Sequence, residues 1–169
     1  MSNKRLRDKV AIVTGAGTRG PMTGTGQATA ILFAQQGAKV LLVDLEIERA
    51  EDTQATIESE SGQASVFQAD VTQESSCRAM VETCLERYGA LHVLFNNVGI
   101  GGSGMVTEVE DTVWNRALDG NLKSAVFACK YAVPKISDSG GGAIINVSSI
   151  DGLRARMTPN IPYAVAKGG

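Results

Sequence analysis

Tyr163 stands four residues before Lys167 and fourteen after Ser149, and this spacing is the strongest chemical signal in the chain. In a helix, positions i and i+4 share a face, so the ammonium would lie one turn from the phenol. A free phenol has a pKa near 10, too high for an efficient base at neutral pH. A neighbouring cation favours the phenolate form. The spacing therefore points to a redox site in which a tyrosine exchanges a proton and a lysine tunes it. Taken singly the residues say less. A lone tyrosine more often packs half-buried, a lone lysine is a solvated charge, and Ser148-Ser149 after an apolar run is ordinary loop chemistry. Asn121 is more suggestive. Asp119-Gly120-Asn121 interrupts a long helical pattern with poor helix formers. The stripe Leu122, Val126, Phe127, Lys130 continues beyond it, which favours a locally distorted helix over one that ends there.

A second constellation follows the apolar run at residues 9–14 (KVAIVT). Gly15-x-Gly17-x-x-Gly20 matches a dinucleotide fingerprint literally. A helix opened there would pass through Pro21, Thr23, Gly24, Thr25 and Gly26, all poor helix formers. The clean helical pattern begins at Gln27. Gly24 and Gly26 are therefore read as the glycines abutting the helix, with residues 18–23 inside an enlarged loop. Gly15 opens that loop. Such glycines let the backbone approach a pyrophosphate seated on the helix's free N–H groups. Asp44 falls eighteen residues after Gly26, close to the expected spacing of about 20. A carboxylate there accepts hydrogen bonds from ribose hydroxyls and repels a 2′-phosphate, which favours NAD over NADP. Arg19 is a counter-signal, a cation that could hold that phosphate, and Asp44 is given more weight.

These residues need a scaffold, and the pattern supplies one. Short β-branched runs at residues 9–14, 39–43, 64–68, 91–95 and 143–147 read as strands. Helical patterns at 27–36, 46–61, 73–88 and 109–130 lie between them, with Gly37, Gly62 and Gly89 as stops and Pro134 beyond the last. Residues 99–104 form a glycine-rich loop, 148–162 a second loop, and Tyr163 opens a short final helix. This alternation predicts an α/β fold, a doubly wound Rossmann-type parallel sheet with helices on both faces. Such sheets bind ligands at the carboxyl ends of their strands. Gly15, Asp44, Asp70, Asn97, Gly99 and Ser149 all fall there.

Composition narrows the class. With 43% hydrophobic and 20% charged residues, the 169-residue chain suits a single globular domain. A formal charge of −2 gives no basic excess, which argues against nucleic acid or an anionic membrane as partner. The cluster Lys4, Arg5, Arg7, Lys9 is followed by no apolar targeting region, and no segment reaches the length of a membrane span. Cys77, Cys84 and Cys129 are odd in number and form no C-x-x-C pair. They are read as reduced and structural, in a cytoplasmic protein. No metal-ligand spacing is present, His92 is taken as structural, and Trp114 as packing against the sheet.

With these residues in view, the chain resembles the short-chain dehydrogenase/reductase family over essentially its whole length. Thr14-Gly15 through Gly24-x-Gly26 resembles the family's glycine loop with extra residues inserted. Asp70-Val71 is similar to its adenine-contacting pair. Asn96-Asn97-Val98-Gly99 is similar to its Asn-Asn-Ala-Gly motif, with Val98 for alanine. Asn121, Ser149, Tyr163 and Lys167 match its catalytic tetrad in order and approximate spacing.

The resemblance implies an NAD-dependent oxidoreductase interconverting a secondary alcohol and a ketone. Tyr163 would be the general acid/base, and Ser149 would donate a hydrogen bond to the substrate oxygen. Tyr163 and Lys167 would also contact the cofactor, Lys167 at the nicotinamide ribose, and Asn121 would hold a water relaying protons from Lys167. It further implies a homo-oligomer, dimer or tetramer, in the full-length protein. Family members continue past Gly169 with the rest of the final helix, two more strands and a substrate-covering segment. The rival expectation is accordingly a dinucleotide-binding domain, residues 1–169, incomplete at its C-terminus and catalytically incomplete. On that reading Gly168 and Gly169 fray, Lys167 is not held near Tyr163, and the fifth strand leaves an apolar edge open.

Overall fold

A computed structural model describes residues 4–154 and 157–169. Among these, strands and helices alternate: β1 (Val10–Thr14), α1 (Thr25–Gln35), β2 (Lys39–Asp44), α2 (Ile47–Ser59), β3 (Gln63–Gln68), α3 (Glu74–Tyr88) and β4 (Val93–Asn96). Then come α4 (Asp111–Leu118), α5 (Ser124–Asp138), β5 (Ala143–Asn146) and α6 (Ile161–Gly168). Residues 155 and 156 of the expected 148–162 loop lie outside the described residues.

The strands form one parallel sheet in the order β3-β2-β1-β4-β5. The expected doubly wound Rossmann-type sheet is thus present. Its order reverses between β1 and β4, which opens a crevice beyond their carboxyl ends.

β1 and β2 are apolar except at their ends, Thr14, Lys39 and Asp44, because both their faces are covered. On one face Ile12, Leu41 and Leu94 meet Met80 and Cys84 of α3 and Ala128, Ala132 and Ile136 of α5. On the other, Val13, Val40, Leu42 and Phe95 meet Ala30 and Ala34 of α1 and Ala50 and Ile57 of α2. Cys77 and Cys84 are free and fully buried, as their spacing on one helix face suggested. Burial pushes their thiols up to about 11 and about 12 respectively, so both stay protonated and inert. Trp114, expected against the sheet, joins neither cluster and sits half-buried on α4.

Two helix boundaries differ from expectation. The first helix starts at Thr25 rather than Gln27, because Gly24 serves as its N-cap in extended conformation. The helical stretch near Pro134 does not stop short of it; α5 runs through Pro134 to Asp138. The proline forfeits one backbone hydrogen bond, but the inward stripe Ala128, Ala132, Ile136 continues across it and packs on the sheet. The expected distortion at Asn121 is real: Asp119–Lys123 form a π-helical turn joining α4 to α5.

β5 lies at the sheet edge and contrasts with β1. Ala143 and Asn146 are exposed, and Ile144 is 37% exposed.

Candidate active site

A cleft of about 330 Å³ opens at the carboxyl ends of β1 and β2, floored by Gly15, Gly24 and Gly26. Gly15 adopts a positive φ of 61° that turns the chain out of β1. A Cβ on Gly26 would collide with the Gly15 carbonyl oxygen, so only glycine lets α1 begin this close to β1. Gly20, by contrast, would meet nothing within 4 Å. The close approach is therefore made at Gly26, not at the third glycine of the literal fingerprint. The N-cap of α1 makes no side-chain hydrogen bond, which leaves the first-turn N–H groups facing the cleft for an anion.

Asn97 holds this floor. Its backbone N–H donates to the Thr14 hydroxyl at 3.1 Å, and its amide donates to the carbonyls of Thr14 at 3.2 Å and Gly15 at 3.0 Å. Asp44 ends β2 on the cleft wall. One carboxylate oxygen accepts the Gly17 N–H at 2.9 Å and the other the Glu46 N–H at 3.2 Å. Each oxygen keeps a lone pair for a further donor. Asp70 accepts from the backbone N–H and the hydroxyl of Thr72 at 3.0 and 2.7 Å, closing a local turn, and lines the cleft with Val71 and Gly99. Arg19 borders the cleft too.

Arg49 was not singled out by sequence. It lines the cleft, pairs with Glu46 at 2.6 Å, and packs so tightly on the loop that a Cβ on Gly17 would collide with it. Its place one turn into α2, five residues after Asp44, was the signal available.

None of the four residues expected to form a catalytic tetrad, Asn121, Ser149, Tyr163 and Lys167, lines this cleft. Lys167 is buried, and its ammonium donates to the carbonyls of Val98 at 3.2 Å and Val147 at 2.8 Å. Burial lowers its pKa from the ordinary lysine value. The expected fraying is not found. α6 is pinned at its end by the Ser148 hydroxyl, which donates to the Lys167 carbonyl at 2.6 Å. A Cβ on Gly152 would crowd the Lys167 backbone at 2.8 Å. Tertiary contact thus supplies the order that a helix of this length lacks alone.

Asn121 is buried in the π turn. Its amide donates to the carbonyls of Ile100 at 2.7 Å and Ala117 at 2.8 Å, while its oxygen accepts the Ile100 N–H at 3.0 Å. Both its donors are therefore committed, and one lone pair on Oδ1 remains for a water. Asn121 and Lys167 share a small cavity of about 30 Å³ with Asn96, Asn146 and Val98, room for about one water. The half-buried Ser149 hydroxyl accepts the Asp151 N–H at 3.2 Å, which leaves its own proton available. Tyr163 is half-buried in the first turn of α6. Neither Ser149 nor Tyr163 lines the 330 Å³ cleft; Val98 lies between that cleft and the Lys167 cavity and lines both.

The short chain dehydrogenase family profile matches residues 9–169. The chain belongs to this family. Among curated relatives, a cyclohexanol dehydrogenase of Acinetobacter sp. is 40% identical over 90% of the chain and 59% of the relative. A 3beta-hydroxysteroid dehydrogenase of Mediterraneibacter gnavus is 38% identical over 89% of the chain and 52% of the relative. A solved structure described as a putative short-chain dehydrogenase/reductase from Burkholderia xenovorans superposes with a TM-score of 0.94 at 37% identity, covering 98% of this chain and 66% of that one. The chain thus spans between about half and two thirds of the length of these relatives. Among its described residues no group of His, Cys, Asp and Glu could hold a metal ion, and no helix is long and apolar enough to cross a membrane.

Proposed function

We propose that the protein is an NAD-dependent oxidoreductase that interconverts a secondary alcohol and a ketone, with Tyr163 as general acid/base. The observation that supports this reading is Lys167. A buried ammonium is costly unless its protons are satisfied, and here the carbonyls of Val98 and Val147 accept from a lysine that follows Tyr163 by one turn of α6.

The residues fit a nicotinamide dinucleotide. Gly15, Gly24 and Gly26 form a cradle that a side chain at Gly26 would fill, and the α1 N-terminus suits the pyrophosphate. Asp44 retains lone pairs for ribose hydroxyls, and Asp70 and Val71 line the same cleft. Asn97 and Gly99 shape the floor from the β4 side. The cofactor, when bound, supplies the hydride chemistry. Ser149 donates its free hydroxyl proton to the substrate oxygen and orients it toward Tyr163. Tyr163 takes or returns the proton on that oxygen. A water in the Asn121–Lys167 cavity links the ammonium to solvent.

A second reading has one observation in its favour. The open β5 edge, with Ile144 part-exposed, suits a dinucleotide-binding piece that needs further chain to turn over substrate. Fluorescence titration with NADH and NADPH tests the shared part. Saturable binding that favours NADH supports the cleft assignment and Asp44. Preference for NADPH shifts the assignment to Arg19, and absence of binding to both overturns it. Turnover of secondary alcohols by this chain itself would overturn the second reading.

A further inference from the structure

Resting on the reading of Ser149 and Tyr163 given above, we propose that Asp151 and Asn160 form a positioning pair that locks the Ser149 turn onto the start of the Tyr163 helix. Asp151 lies in a single 3-10 turn directly after Ser149 and is 6% exposed. A buried carboxylate is costly unless it is hydrogen-bonded. Asn160 supplies one such bond, its amide donating to Asp151 Oδ2 at 2.7 Å, a short charge-assisted bond.

The geometry at Asn160 shows a diverted side chain. Asn160 is the N-cap of α6, where asparagine ordinarily accepts a first-turn N–H, yet it makes no capping hydrogen bond. Forgoing the cap weakens the start of α6. The amide is committed instead to the turn that carries Ser149. The same residue is also where the loop after β4 joins. Gly104 pairs with Asn160 in a parallel bridge, its N–H donating to the Pro159 carbonyl and its carbonyl accepting the Ile161 N–H, both at 3.2 Å. Gly102 lies against Pro162 and the Tyr163 N–H, where a Cβ would come within 3.2 and 3.4 Å.

The loop after β4 and the turn that carries Ser149 therefore both meet the start of α6 within four residues of Tyr163. Asp151 contributes twice: its carboxylate holds Asn160, and its N–H donates to the Ser149 oxygen. The first contact sets where the phenol starts. The second turns the serine so that its proton, not its lone pair, faces outward. Neither side chain takes part in the chemistry.

The test uses the full natural chain and compares wild type with Asp151→Asn, Asn160→Ser and the double variant. Asn160→Ser keeps a capping hydroxyl for α6 but is too short to reach Asp151, so it reports on the tie with the helix preserved. The expected result is a kcat lowered ~10-fold to ~100-fold in each single variant. NADH affinity by titration should stay within twofold of wild type, and the double variant should be no slower than the worse single. Retention of wild-type kcat by Asn160→Ser overturns the pair, as do losses that multiply in the double variant or a rise in KM alone. Should Asp151→Asn fail to fold, Asn160→Ser alone decides. Absence of turnover in the wild type would instead overturn the proposed reaction, and is thereby distinguished from failure of the pair.

Discussion

The two halves of the crevice are built by different means. The nucleotide half is made of main chain: glycines at Gly15 and Gly26 press α1 against β1, and both faces of β1 and β2 are buried around it. The catalytic half is made of side chains that reach across the chain. Lys167 bonds to a carbonyl 69 residues away, Asn121 to one 21 residues away, and Asn160 to a carboxylate nine residues away. One half tolerates no added atoms and the other no lost partners. The first should therefore respond to enlarging substitutions, and the second to loss of a single polar group.

Tyr163→Phe gives the sharpest separation. Loss of the phenol oxygen should lower turnover in the full natural chain by ~10³-fold, the scale of general acid/base catalysis. NADH titration should be unchanged, because Tyr163 lies outside the 330 Å³ cleft. A large loss of NADH affinity in this variant would break the comparison.

Gly26→Val comes next. Its Cβ would collide with the Gly15 carbonyl, and overpacking of this kind costs ~1–3 kcal/mol. Urea unfolding should show that loss, and saturable NADH binding should disappear with it. Unchanged binding would mean that the glycine contact does not shape the cleft.

Asp44→Ala should act on the nucleotide half alone. Losing hydrogen bonds to a charged acceptor costs ~1.5–3 kcal/mol, so NADH should bind ~10-fold to ~150-fold more weakly, and the variant should discriminate less against NADPH. Equal affinity for wild type and variant would remove Asp44 from the site.

His92 sets the smallest effect, at the opposite end of the sheet. Its Nδ1 accepts the Val10 N–H at 3.1 Å, which requires a neutral ring. Burial first, and the Lys9 charge second, lower its pKa from the ordinary value. Since the folded value lies below the unfolded one, this contribution is complete above about pH 6.5 and is lost as pH falls from there through the folded value. Urea melts at pH 7 and pH 5 should show a loss that His92→Asn reduces, because an amide oxygen accepts at both pH values. An identical pH dependence in both proteins would show that the His92 bond carries no stability.

How legible each half was in the sequence follows from the same contrast. The parallel sheet was readable because doubly covered strands must be apolar throughout, and residues 10–14 and 39–44 are nearly so. The choice of Gly24 and Gly26 over Gly20 was readable because glycine and proline are poor in a helix interior. The π turn at Asn121 announced itself as poor helix formers inside an unbroken stripe. Pro134 misled, since local propensity marks a break while burial of Ala132 and Ile136 carries α5 past it.

What the sequence alone determined is therefore what depends on neighbours along the chain: strand and helix order, the glycine loop, and the one-turn spacing of Tyr163 and Lys167. Only the tertiary structure decided that α6 is held and Lys167 buried, that Asn121 spends its amide on Ile100, and that Arg49 closes on Gly17. It alone brought Asp151 and Asn160 together. Those contacts join residues whose separation carries no periodic signal, and a side chain's partner is set by where the sheet delivers it rather than by what stands next to it.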